Sequence, residues 1–270
     1  MINEVLFNNK KMNYFKFGMG SKIMVMIPGL SVKSVMEAEN IIINDYKLLT
    51  KDFTIYCFDR IEEPKEGYTI KDMAIDMLSV IKLLGLKDIY LFGASQGAMI
   101  GFNMILLDET LFKKFIVASS CTKVDDFINS KIKEFINYAK NYEKKELFLG
   151  FSKLIYPDEI YLKYENYLTD IIPSITNIEL DKFVILAKTI INFDIFDLVK
   201  DINIPILFVH DKLDKLININ NVYAFLKTYK YKSNFTSYFY EGYGHALYDL
   251  ALDFKKIILD YFLGEWFYEL

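Results

Sequence analysis

Residues Gly93-Ala94-Ser95-Gln96-Gly97 read Gly-x-Ser-x-Gly, and their surroundings constrain the fold more than any other stretch of the chain. Before them, residues 88–92 form a short apolar run with the length of a buried strand. After them, residues 98–107 are apolar on nearly every side, as in a buried helix. A serine at a glycine-flanked corner between strand and helix matches the context of a nucleophile elbow. The turn is so tight that side chains two residues either side of the serine would collide, and glycine removes them. With 12 Gly and 12 Ser in 270 residues, the bare pattern is expected only roughly 0.02 times by chance.

Such a corner requires a sheet to project from, and strand and helix signals alternate along most of the chain. Residues 5–7 and 13–17 read as an antiparallel pair. Residues 22–27 form a strand stopped by Pro28-Gly29, and a helix is expected over 35–49. Strands are expected at 53–58, 88–92, 112–118, 204–209 and 237–240. Thr69 is a good N-cap for a helix with apolar residues at 70, 73, 74, 77, 80, 81 and 84, ended by Gly85. Further helices are expected near 219–228 and 247–262. Alternating β and α elements imply an α/β fold, a mostly parallel eight-stranded sheet flanked by helices. The alternation breaks at 122–199, where the patterns are helical and Pro157 and Pro173 punctuate them. This segment reads as a helical cap inserted after the sixth strand, with residues 1–121 and 200–270 forming the core.

Composition excludes several classes of function. Hydrophobic residues make up 53% of the chain and charged residues 25%, enough for a sizeable core. The net charge of −4 gives no reason to expect nucleic acid or an anionic membrane as partner. Every apolar run is shorter than a membrane span, and residues 1–11 lack the pattern of a secretory signal, so a cytoplasmic protein is expected. Cys57 and Cys121 support no disulfide framework, and no Cys/His cluster has zinc spacing.

A serine hydroxyl is a weak nucleophile and needs a base, which in turn needs an orienting acid. The chain has only two histidines. His210 ends a strand; His245 lies in the glycine-rich stretch 241–247 between the last strand and the last helix, where an imidazole can reach the elbow. His245 is therefore the expected base, and His210 reads as structural. For the acid, Asp214 lies furthest beyond its strand; Asp211 is an alternative, as are Asp125 and Asp126. The order Ser95, Asp214, His245 is the one expected when the serine stands on an elbow. Charge developing on a substrate carbonyl needs hydrogen-bond donors. The backbone N–H of Gln96, at a helix N-terminus, is one candidate, and that of Leu30, after Pro28-Gly29, is the second.

These motifs, in this order over nearly the whole chain, resemble the α/β-hydrolases, specifically the capped branch of prolyl-iminopeptidase-like and carboxylesterase-like enzymes. The segments Phe58-Asp59-Arg60 and 67–73 also resemble that family, where they are structural. Pro28-Gly29 departs from the His-Gly of many members, which bears on the shape of the oxyanion hole. The resemblance implies a serine hydrolase that cleaves a small carboxylic ester through an acyl-enzyme and needs no cofactor or metal. Aminopeptidase, thioesterase and acyltransferase activities stand as alternatives on the same scaffold, as does non-catalytic ligand binding. The cap in this family roofs the pocket. Its tyrosines (138, 142, 156, 161, 164 and 167) and phenylalanines (127, 135, 148, 151, 183, 193 and 196) suggest an aromatic-lined, apolar pocket for a small acyl substrate. Acidic residues Glu134, Glu143, Glu146, Asp158 and Glu159 read as a solvated face, with recognition of a substrate amine as the alternative. Trp266, Phe267 and Tyr268 are candidates for packing on the body or on a second subunit.

Overall fold

The computed structural model describes residues 1–265; Trp266, Phe267 and Tyr268 lie outside them. Among the described residues, eight strands form one sheet. They are β1 (Ile2–Phe7), β2 (Lys10–Phe17), β3 (Lys22–Ile27), β4 (Phe53–Ile61), β5 (Ile89–Ala94), β6 (Phe112–Ala118), β7 (Ile206–Asp211) and β8 (Phe235–Tyr240). Their order across the sheet is β1-β2-β4-β3-β5-β6-β7-β8. β2 runs antiparallel to both its neighbours, and all other pairings are parallel. From β3 the chain moves outward to β4, then crosses back to β5 on the other side. The crevice between the carboxyl ends of β3 and β5 is therefore the topological switch point, where open α/β sheets bind ligands.

Helices cover the sheet: α1 (Glu39–Asp45), α2 (Ile70–Leu83), α3 (Gln96–Leu107), α8 (Ile219–Thr228), α9 (Leu247–Leu250) and α10 (Phe254–Leu263). The insertion between β6 and β7 supplies α4 (Asp126–Lys140), α5 (Lys144–Ile155), α6 (Asp158–Ile171) and α7 (Asn177–Lys188). Because a strand's side chains alternate, each parallel strand serves two cores. In β3, Val25 and Ile27 face a core shared with α2, α3 and the insertion. Met24 and Met26 face the other core, against α9 and α10. β7 repeats this division with Phe208 on the first side and Leu207 and Val209 on the second.

The insertion is the expected helical cap segment. Its ends are closed on each other, with Val124 N–H donating to Phe193 O at 3.0 Å and Ile195 N–H to Thr122 O at 2.8 Å. Ile128, Ile132, Phe135, Leu180 and Phe183 continue the α2/α3 core, so the same apolar mass that holds the sheet seats the cap. Among the described residues, no helix is long and apolar enough to cross a membrane.

Local signals place several elements where they were expected. Thr69 caps α2 through a full capping box with Asp72, and α8 spans the expected residues. Two expected helices are broken. The one over 35–49 divides into a 3-10 turn, α1 and a second 3-10 turn, because Ala38 and Tyr46 have ψ of 8° and 13°, outside the α region. The last one divides at Ala251, whose ψ of 115° is extended.

Two glycines give opposite expectations. A Cβ on Gly97 would lie 2.0 Å from Ile27 O and 2.6 Å from Pro28 O, both backbone atoms with little room to move. On Gly150, inside α5, a Cβ would meet only Phe135 at 3.5 Å, an ordinary contact. Urea unfolding should show Gly97→Ala destabilised by about 1–3 kcal/mol or more, and Gly150→Ala stabilised by up to ~1 kcal/mol. A neutral Gly97→Ala would show that the corner can relax.

Candidate active site

Ser95 stands at the corner between β5 and α3 with φ 50° and ψ −120°. A non-glycine residue rarely holds this conformation, and here the surroundings enforce it. Ser95 N–H donates to Ala118 O at 2.9 Å. Ser95 O accepts from Ala98 N–H at 3.0 Å and from Ser120 Oγ at 2.8 Å. Both flanking glycines are needed on steric grounds, since a Cβ on Gly93 would lie 2.7 Å from Ala98 Cα. The expected elbow geometry is therefore present in the backbone.

The structure brings Asp214 and His245 together. Asp214 Oδ2 lies 2.8 Å from His245 Nδ1, and both side chains are buried. A carboxylate only accepts, so Nδ1 carries the proton and Nε2 is left with its lone pair. Asp214 Oδ1 accepts from Leu216 N–H at 2.8 Å and Ile217 N–H at 2.9 Å, which fixes the carboxylate at the loop's turn. Burial by itself would raise the Asp214 carboxyl. The His245 ring, its hydrogen bond, His210 and Ile217 N–H outweigh burial and hold it below the usual range. His245 and Ser95 both lie beyond carboxyl ends of parallel strands, but no hydrogen bond joins Ser95 Oγ to His245 among the described residues.

The alternative acids have other duties. Asp211 accepts from Leu213 N–H at 2.7 Å and Tyr243 N–H at 2.8 Å, tying the loop after β7 to the loop carrying His245. Asp125 caps α4 through Ile128 N–H and accepts from Asn221 Nδ2; Asp126 is exposed in the first turn of α4. His210 is buried 3.7 Å from Asp214, and its Nε2–H donates to Ile217 O at 2.9 Å. A second ring beside the acid was not apparent from the sequence, because only the turn after β7 folds residue 214 back over residue 210.

Gln96 and Leu30, the residues expected to supply oxyanion donors, follow β5 and β3, the two strands that flank the switch point. Gln96 opens α3, so its N–H has no carbonyl one turn earlier to bond. Leu30 is buried in the loop after β3. An ideal Cβ on Gly29 of that loop would stand 3.3 Å from Ser95 Cβ, so the loop abuts the elbow. Arg60, expected to be merely structural, holds this arrangement. Its Nη2 donates to Pro28 O at 2.6 Å and Gln96 Oε1 at 3.0 Å, with a longer contact to Gly29 O at 3.4 Å. Gln96 Nε2 in turn donates to Leu186 O and Thr189 Oγ1, linking the elbow to the end of α7. The Phe58-Asp59-Arg60 motif was the available signal for this arginine, but its partners lie 31 to 36 residues away in sequence.

A cavity of about 90 Å³ adjoins this loop, lined by residues 28–34 together with Asp59, Arg60, Gln96, Glu179, Lys182 and Leu186. None of the cap aromatics lines this cavity. Phe135, Phe151 and Phe183 instead pack on one another at centroid distances of 5.2 and 6.2 Å, because an insertion this small needs its large rings for its own core. The acidic residues Glu134 and Asp158 pair with Lys131 and Lys215. Among the described residues, no group of three or more His, Cys, Asp or Glu is placed to hold a metal ion.

This architecture is the α/β-hydrolase fold. A family model described as alpha/beta hydrolase fold matches residues 22–153, and no curated protein matches the sequence. Among solved structures, MGS-M2, an α/β-hydrolase enzyme from a Medee basin deep-sea metagenome library, is similar, with TM-score 0.87 at 18% identity over 99% of both chains. The enol-lactonase from Burkholderia xenovorans LB400 superposes with TM-score 0.81 at 14% identity, covering 97% of this chain and 100% of its own. An esterase from Exiguobacterium antarcticum gives TM-score 0.75 at 18% identity, covering 93% and 95%. At these identities the likeness is one of fold.

Burial makes a prediction about pH. Desolvation pushes the His210 ring below its ordinary value, and His245 adds to this; Asp214, the bond to Ile217 O and Asp211 oppose it without prevailing. The unfolded chain binds a proton near pH ~6.5 that the folded ring refuses. Stability is thus full above that pH and falls as pH drops from it toward the folded value. Urea unfolding between pH 5 and 7.5 should show ΔG declining toward acid, with His210→Gln flattening the slope by up to about 1.4 kcal/mol per pH unit. An unchanged slope would mean that His210 is not the group involved.

Proposed function

We propose that the chain is a serine hydrolase acting on a small carboxylic ester through an acyl-enzyme. The observation that carries this reading is the pairing of a serine held at φ 50° on a strand-to-helix corner with a buried Asp214–His245 couple at the same end of one sheet. His245 Nε2 takes the Ser95 proton as Oγ attacks the substrate carbonyl. The negative oxygen that results is met by the N–H groups of Gln96 and Leu30. Collapse of the tetrahedral species breaks the ester bond, and the imidazolium gives its proton to the departing alcohol. Water then enters, loses a proton to His245 and releases the acid, restoring Ser95. Asp214 keeps the ring in the tautomer that leaves Nε2 free and stabilises its charged form.

Several features support each part of the reading. The solved structures with this fold include an esterase and an enol-lactonase. Leu30 N–H has no hydrogen-bond partner among the described residues, as an open oxyanion donor should not. A lid role for the insertion, residues 122–199, is supported by the hydrogen bonds that tie Gln96 to Leu186 and Thr189. The cavity beside the elbow carries Lys33, Arg60 and Lys182, which disfavours an aminopeptidase that must hold a substrate ammonium. Apo sites commonly show loose contacts between nucleophile and base that tighten with substrate, which fits the open Ser95–His245 pair.

Intact-mass analysis after fluorophosphonate treatment tests the nucleophile. One adduct on wild type and none on Ser95→Ala is the expected result; no adduct on folded wild type would favour a ligand-binding protein. With 4-nitrophenyl esters, Ser95→Ala and His245→Ala should each lose roughly 10³–10⁶ in kcat, and Asp214→Asn roughly 10³–10⁴. Retention of activity in Ser95→Ala would overturn the mechanism.

A further inference from the structure

The cavity beside the elbow has a charge pattern that the reaction above does not use. Three cations line it (Lys33, Arg60 and Lys182) with two acids (Asp59 and Glu179), in a chain whose net charge is −4. Both acids are committed to the protein. Asp59 accepts from Ser34 Oγ and from Arg60 N–H. Glu179 accepts from Thr176 N–H and Oγ1, closing the capping box of α7, and pairs with Lys33. Lys33 is further engaged by Glu37.

Two cationic groups are left over. Lys182 lies half-buried on α7 and makes no hydrogen bond or ion pair among the described residues. Arg60 is 5% exposed and spends Nη2 on Pro28, Gly29 and Gln96, yet its Nε is buried with no acceptor. A buried N–H without a partner costs free energy comparable to a lost hydrogen bond, and such groups are rare unless a ligand or water completes them. Half-burial also pulls the Lys182 ammonium below its usual range, against the opposing pull of Asp59, Glu62 and Glu179; Arg60 adds to the depression. An anion entering the cavity would pair with the Lys182 ammonium, with the Arg60 guanidinium beside it.

We propose that this cavity is a subsite for a carboxylate on the substrate, held by Lys182 and Arg60. The favoured substrates are then esters with a second, negatively charged end, such as the monoester of a dicarboxylic acid. The loop from Pro28 to Ser34 forms one wall, and its Gly29 stands against Ser95, so a short chain can link the two groups. A carboxylate bound there presses on the same loop that presents Leu30, which couples recognition to the oxyanion hole. The reaction assigned to these substrates rests on the serine-hydrolase reading, whereas the binding does not.

The test uses mono(4-nitrophenyl) glutarate and neutral 4-nitrophenyl valerate, compared by the ratio of their kcat/KM values. Wild type should favour the glutarate ester. Lys182→Gln should lower that ratio about tenfold or more, as expected for a lost charge-assisted hydrogen bond, and Lys182→Arg should restore most of it. In parallel, calorimetry with glutarate on Ser95→Ala should show binding that Lys182→Gln weakens by a similar factor. Equal use of both esters, together with no glutarate binding, would overturn the subsite and leave the hydrolase standing. Lys182-dependent glutarate binding with neither ester cleaved would keep the subsite and remove the proposed reaction.

Discussion

The site depends on how closely the start of α3 approaches the end of β3. Gly97 meets the carbonyls of Ile27 and Pro28 so tightly that no side chain fits between them. That approach forces Ser95 into its left-handed conformation and sets the loop after β3 against the elbow. The N–H of Gln96 and the N–H of Leu30 are thereby brought to the same crevice. The adjacent apolar strands resist any relaxation, because Ile27, Leu91 and Val117 are buried in the core that α3 covers.

A single guanidinium then organises the polar side of this corner. Among the described residues no carboxylate pairs with the Arg60 guanidinium; it donates instead to loop carbonyls and to the Gln96 side chain. Many α/β-hydrolases carry a histidine where this chain has Pro28, and here support for the loop comes from β4 across the sheet. Gln96 passes the connection on to α7, so the cap, the loop and the elbow form one hydrogen-bonded unit. Lys182, one turn earlier on α7, thus lines the cavity from an element tied to α3, the helix that follows Ser95.

The acid side of the site is built on a different principle. Two buried histidines flank one carboxylate, but only His245 engages it by hydrogen bond, at 2.8 Å. His210 spends its proton on Ile217 O. Asp211 reaches across to Tyr243 N–H and fixes the separation of the two loops. The two aspartates of one short segment therefore divide the work: Asp211 holds backbone, and Asp214 holds the ring.

Local chemistry alone determined much of this. The glycine-flanked serine, the capping residue Thr69 and the alternating apolar runs are signals carried by neighbours in sequence, where short-range sterics and hydrogen bonding act. They were enough to read the mostly parallel sheet and the helical insertion, and to single out residues 95, 214 and 245, of which the structure pairs the last two. Breaks at Ala38, Tyr46 and Ala251 were hidden, because apolar periodicity does not register a single residue leaving the α region. The roles of Arg60, His210 and Lys182 were decided only by tertiary structure. Each depends on partners 7 to 36 residues distant or on a neighbouring element, and on whether burial leaves a charge satisfied. The packing of Phe135, Phe151 and Phe183 on one another was hidden for the same reason: a ring's type shows in the sequence, but what it packs against depends on what the fold places beside it.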